Sequence, residues 1–157
     1  MLVGGTTPDP TIFARLCTAL EQLQQHGASA APGIARALEL GVLDRLGLLP
    51  ALDACAVCGS PPSPFDGEVR WDAERGGALC PKHGARAGII DERVLSLARA
   101  LTDDPAGAPE VAASPAALRR GLRDLCLAAV RPHLRRPLKS LDFLASLPRT
   151  AKAAESP

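Results

Sequence analysis

Four side chains in the middle of the chain have the types and spacing of a metal site: Cys55 and Cys58 in "ACAVCGS", then Cys80 and His83 in "LCPKHG". The pattern is C-x2-C, 21 intervening residues, then C-x2-H. Each half reads as a tight turn that converges two side chains on one point. Three thiolates and one imidazole complete the tetrahedral shell that zinc prefers. A shell closed by four protein donors leaves no position for water or substrate, so the expected role is structural rather than catalytic. Asp72 and Glu74 lie between the halves, but nothing in the pattern frees a ligand for them to work on. Gly59 and Gly84 follow the second ligand of each half, where the chain is expected to need unusual dihedrals.

Little else in the chain looks like chemistry. Cys17 and Cys126 occupy apolar helical positions and read as packed thiols. His26 sits at a helix end, and His133 has no carboxylate or nucleophile beside it in sequence. Ser140 and Asp142 do not make a hydrolase triad, and no GxSxG, P-loop or GxGxxG pattern occurs. No catalytic residue and no small-molecule substrate are expected, so the chain does not read as an enzyme. Five cysteines in a cytosolic chain stay reduced, which favours metal over disulfides.

The elements that must position the four ligands are helical. Asp9 and Pro10 open a first helix whose Ile12, Phe13, Leu16, Leu20 and Leu23 form an expected core stripe, stopped by Gly27. A second helix carries Ile34, Leu38, Val42 and Leu46 at four-residue spacing and ends at Gly47, so the two should pair as an antiparallel hairpin. Between the knuckles, Val69 and Trp71 alternate ahead of a Gly76-Gly77 turn and Leu79, which predicts a small β-hairpin, with Trp71 covering the thiolates. "DERVLSLARAL" is a third helix, "DDPAGAPEVAAS" a linker, and Ser114 with Pro115 opens a fourth helix through Leu118, Leu122, Leu125 and Ala129, ended near Pro132. "PLKSLDFLASL" reads as a short fifth helix. The expected fold is mainly α: a small helical domain with an inserted zinc-finger module containing a short β-hairpin. Its expected organisation is a leader over 1–8, the helical domain over 9–150 with the zinc module at about 52–85, and a frayed tail over 151–157.

Charge is distributed unevenly. Residues 1–118 hold 9 Lys/Arg against 14 Asp/Glu, whereas residues 119–157 hold 9 against 3. Arg119, Arg120 and Arg123 open the fourth helix, and Arg131, Arg135, Arg136 and Lys139 bracket its end. Interleaved with Leu134, Leu138, Leu141 and Phe143, the second group in particular could frame a groove for an acidic peptide, contact phosphates, or form a solvated rim. No uninterrupted apolar run of about 18 residues and no signal-peptide pattern appear, which predicts a soluble, cytoplasmic chain with no membrane partner.

The order of helical hairpin, "LGLLPALDACAVCG", an insert with "GGALCPKH", a helical stretch and a terminal "RRPLKSLDFL" closely resembles the C-terminal region of the bacterial recombination mediator RecO. The likeness covers about residues 6–147. It implies a non-catalytic DNA repair and recombination protein of the bacterial nucleoid. Its expected work is to anneal strands, engage the acidic tail of single-stranded-DNA-binding protein and act with RecR to load RecA. The family's zinc is usually held by four cysteines, so His83 departs from it, keeping a tetrahedral shell with one negative charge fewer. The family also begins with an OB-fold barrel, for which this chain offers neither room nor strand pattern, and the implied DNA contact is weaker without it. A generic zinc-finger interaction module is the alternative, or a truncated fragment that does not bind DNA. A module of the GTPase-activating kind would need an exposed arginine beside the metal, and Arg70, Arg75 and Arg86 are available.

Overall fold

The computed structural model describes residues 8–134 of the chain. The expected fifth helix, together with Arg135, Arg136, Lys139, Leu138, Leu141 and Phe143, lies outside the described residues. Helix α1 spans Pro10–His26, α2 Ala31–Arg45, α3 Glu92–Asp103 and α4 Ala116–Val130, with strands β1 Glu68–Asp72, β2 Gly77–Leu79 and β3 Gly88–Asp91 between α2 and α3. The domain is mainly helical with a small β module inserted, as the sequence predicts.

Local signals account for the helix ends. The Asp9 carboxylate accepts the N–H of Thr11 and Ile12 at 2.9 and 3.3 Å, Pro10 fills the first helical position, and Asp9 also pairs with Arg45 at 3.0 Å, tying the start of α1 to the end of α2. Gly27, at φ 72°, closes α1 with a bond to the Leu23 carbonyl. Asp91 caps α3 through the N–H of Arg93. Ser114 makes no such cap for α4; Pro115 precedes the helix, and the Arg119 guanidinium bonds the Ser114 carbonyl instead.

Helix α2 is the centre of the core. Ile34, Ala37 and Leu40 are buried against Val94, Leu95, Ala98 and Leu101 of α3 and Leu122, Leu125 and Cys126 of α4. Each fully buried leucine of this set contributes roughly 1.5–3 kcal/mol. The expected α2 stripe is rotated: Leu38, Val42 and Leu46 are half-buried, while Ala37, Leu40, Gly41 and Leu43 face inward, because α2 is packed on several sides rather than one.

The α1 stripe is a larger correction. Phe13, Leu16 and Leu20 are 67, 43 and 57% exposed, and the residue α1 buries is Ala19. The helix approaches α2 through small and polar positions: the Arg15 side chain lies across Gly41, and Gln22 donates to the Pro105 carbonyl at 2.9 Å. Contact through Arg15, Ala19 and Gln22 leaves the bulky side chains on the outward face.

The expected linker is likewise part of the core. It forms two 3-10 turns, Pro105–Gly107 and Pro109–Ala113, and buries Ala108 and Val111. Gly33 makes this possible: a Cβ there would meet the Ala108 carbonyl oxygen and lie 2.8 Å from Val111 Cβ.

Candidate metal centre

The inserted sheet is antiparallel, in the order β2-β1-β3, with Arg70 opposite Leu79 on one side and Ile89 on the other. Strand alternation gives it two different faces. Val69 and Ala78 join the helical core, with Trp71 and Ile90 packed beside them. Leu79 faces the other way, into a small cluster with Cys55, Cys80 and Ala87. The sheet thus lies between the helices and the knuckles. Trp71 therefore supports the helical core rather than shielding the thiolates, a role taken by Leu79 and Ala87. The predicted hairpin is present, turned by Gly76 and Gly77 at φ 90° and 126°, but β3 had no separate signal beyond "GII".

The two knuckles are built alike. Gly59 N–H bonds the Cys55 carbonyl at 2.8 Å and Gly84 N–H bonds the Cys80 carbonyl at 2.9 Å, each closing a turn around its ligand pair. Gly59 has the expected left-handed backbone at φ 70°. Gly84 does not; it is required because the Arg70 stem lies across it, with Cδ 2.5 Å from where a Cβ would stand. Ala51 and Ala56 pair with Gly76 and Ala78 at 2.8–2.9 Å, docking the first knuckle onto the sheet. Arg75 donates to the His83 carbonyl at 2.5 Å, fastening the second knuckle to the β1–β2 turn.

The four donor atoms meet as the spacing predicts. Cys55, Cys58 and Cys80 sulfurs and a ring nitrogen of His83 all lie within 4.8 Å of one another. Cys58 and Cys80 sulfurs are 3.8 Å apart, and His83 Nδ1 is 3.6 and 3.3 Å from the sulfurs of Cys55 and Cys80. A tetrahedral zinc site has edges of about 3.8 Å between sulfurs and about 3.6 Å from sulfur to nitrogen. The residues fit such an ion. Their electrostatics fit it too. Desolvation opposes the Cys55 thiolate, but the N–H groups of Cys80, Val57 and Cys58 and the His83 ring outweigh it and bring the thiol down to about 5. Burial pushes Cys80 up, and the neighbouring sulfurs of Cys55 and Cys58 add to it. Three crowded sulfurs resist simultaneous ionisation unless a cation sits among them. Cys55 and Cys80 are buried, while Cys58 is exposed and lies 3.4 Å from the Ser60 hydroxyl.

The basic residues fall into separate places. Arg119, Arg120 and Arg123 join Arg36 of α2 around a cavity of about 300 Å³ with Pro32 and Val111 on its apolar wall. Arg36 pairs with Glu39 at 2.6 Å, Arg123 with Asp124 at 2.7 Å, and Arg119 donates to the Ala112 carbonyl at 3.0 Å. Arg120 has no ion pair among the described residues. Arg131 is exposed at the far end of α4, away from this cavity. Arg36 carried no sequence signal, since only the fold brings α2 beside the start of α4.

Fold and site together define a helical domain that carries a four-donor Cys/His knuckle pair. Residues 1–142 match the family described as Recombination protein O C terminal. The chain is 36% identical over 143 residues to the DNA repair protein RecO of Myxococcus xanthus, covering 89% of this chain and 54% of that protein. It is 37% identical to the RecO of Anaeromyxobacter dehalogenans over 91% of this chain and 56% of that protein, and 38% identical to the RecO of Geobacter sulfurreducens over 93% and 59%. The chain therefore belongs to the RecO family. It spans about half the length of the curated relatives it matches. No solved structure matches the chain. No helix among the described residues is long and apolar enough to cross a membrane.

Proposed function

We propose that this chain is a non-catalytic accessory domain of DNA repair and recombination, held together by one structural zinc ion on Cys55, Cys58, Cys80 and His83. Family membership along most of the chain carries the reading. When bound, zinc supplies a tetrahedral cross-link, and four protein donors leave no position for a reacting water. The imidazole of His83 replaces a thiolate in that shell, so the loaded centre carries about one negative charge rather than two. The domain comprises residues 9–150, with its metal module at about 52–85.

The first arginine group, rather than the group near 131–139, is the partner site in this reading. Arg36, Arg119, Arg120 and Arg123 rim an apolar pocket, which suits the acidic tail of single-stranded-DNA-binding protein. RecR and RecA are the further partners the family relationship suggests. The test is a fluorescence-anisotropy titration of the labelled tail peptide with zinc-loaded protein and its Arg120→Glu variant. The expected result is saturable binding that the variant weakens at least tenfold, since reversing one close charge of an acid-binding site costs more than about 1.4 kcal/mol. Absence of peptide binding by the unaltered protein would refute the partner assignment.

A further inference from the structure

We infer that the outer face of the metal module is a second, independent binding surface, whose ligand is the phosphodiester backbone of a nucleic acid strand. Its cations are Lys82 and Arg86, with Arg70 and Arg75 beside them. All are gathered around the second knuckle. The Arg70 stem lies across Gly84, Arg75 donates to the His83 carbonyl, and Lys82 and Arg86 belong to the knuckle and the turn that leaves it. Lys82, Arg75 and Arg86 are exposed and Arg70 is half-exposed. None of the four has an ion-pair partner among the described residues.

The acids of the module lie on the sheet rather than on the second knuckle: Glu68 and Asp72 flank Arg70 on the outer face of β1, with Asp91 opposite Glu68. Residues 77–90 contain no Asp or Glu. The Asp72 carboxylate accepts the N–H groups of Glu74 and Arg75 at 3.0 and 3.2 Å, and Asp91, at the end of β3, is held by Arg93 at 2.6 Å. Glu74 is exposed next to Arg75, and Glu68 and Asp72 flank Arg70, so the contact falls to Lys82 and Arg86.

Register places Ile89 opposite Arg70 on the same face, 65% exposed; the exposed ring of the module, Phe65, is bridged to Glu68 at the far end of β1 and not part of the second knuckle. A knuckle whose stretch 77–90 carries exposed cations and no Phe, Trp or Tyr suits phosphate contact without sequence readout. It also lacks the apolar pocket of the α4 cavity, which separates a strand-binding face from a peptide-binding one. The two lie on different elements, β1 and the second knuckle against α2 and α4.

This surface rests on the repair reading and deepens it by naming the contact with the strand, and the two claims fail separately. The test is the salt dependence of binding to a fluorescein-labelled oligothymidine, measured by anisotropy with the full zinc-loaded chain. Each phosphate contact on a single strand adds about 0.7 to the slope of log affinity against log salt. The Lys82→Ala/Arg86→Ala variant should therefore lose about 1.4 of slope and bind more weakly at every salt concentration, while Arg120→Glu keeps the original slope. Arg86→Glu alone, at an exposed position, repeats the loss with a single change. The inference is overturned by an unaltered slope in both knuckle variants, by absence of binding to the unaltered chain at low salt, or by a slope lost through Arg120→Glu instead. Loss of peptide capture with an intact strand slope would reject the peptide assignment alone.

Discussion

At the scale of single residues, the cysteines divide by environment. Cys58 is exposed on its knuckle, Cys55 and Cys80 are buried between the knuckles and the sheet, and Cys126 is sealed in the helical core. Burial, with the Glu39 charge beside it, pushes the Cys126 thiol up to about 12. A raised thiol value means that the reactive thiolate of Cys126 is scarce at pH 8. After zinc removal, iodoacetamide at pH 8 should modify Cys58 first and Cys126 last, followed by mass spectrometry of the peptides; equal rates would contradict this ordering. The convergence of Cys55, Cys58, Cys80 and His83 was legible in the sequence because knuckle spacing is local, so short turns determine which side chains meet. Arg36 was not legible, since its neighbours on α4 come from a distant part of the chain. Gly84 was legible as special but for another reason, a crossing side chain rather than a left-handed backbone.

At the scale of elements, caps and breakers located the helices well, and burial faces less well. Asp9, Pro10, Gly27 and Asp91 act over one turn and need no knowledge of the fold. The face a helix buries depends on neighbours. Phe13, Leu16 and Leu20 follow a core pattern yet point outward, because Arg15 over Gly41 and Ala19 set how α1 meets α2. The stretch "DDPAGAPEVAAS" looked like a linker by composition, but Ala108 and Val111 pack against α2. Gly33→Ala should therefore drive a methyl group into the Ala108 carbonyl and destabilise the domain by about 1–3 kcal/mol in a urea melt. A midpoint equal to that of the unaltered chain would mean that the stretch is not packed there.

At the scale of the whole molecule, the sheet connects the Cys/His cluster to the helices. Its inner face supplies Val69 and Ala78 to the helical core and its outer face supplies Leu79 to the ligand cluster. The remainder of the module is rich in Pro, Gly and charge and buries little apolar surface of its own, whereas structural zinc binding is worth on the order of 10 kcal/mol. The helices hold a larger apolar cluster of their own. The mainly helical class and the inserted module were legible because composition and periodicity report them; the layering of helices, sheet and knuckles was not, since it follows from strand register. The most direct test of the account is limited proteolysis of the chain before and after zinc removal verified by metal analysis, with helicity followed by circular dichroism. New cleavage between Cys55 and His83 is expected in the metal-free chain, with most of the helical signal retained and protection restored when zinc returns. Unchanged resistance across that segment after verified zinc loss would contradict it.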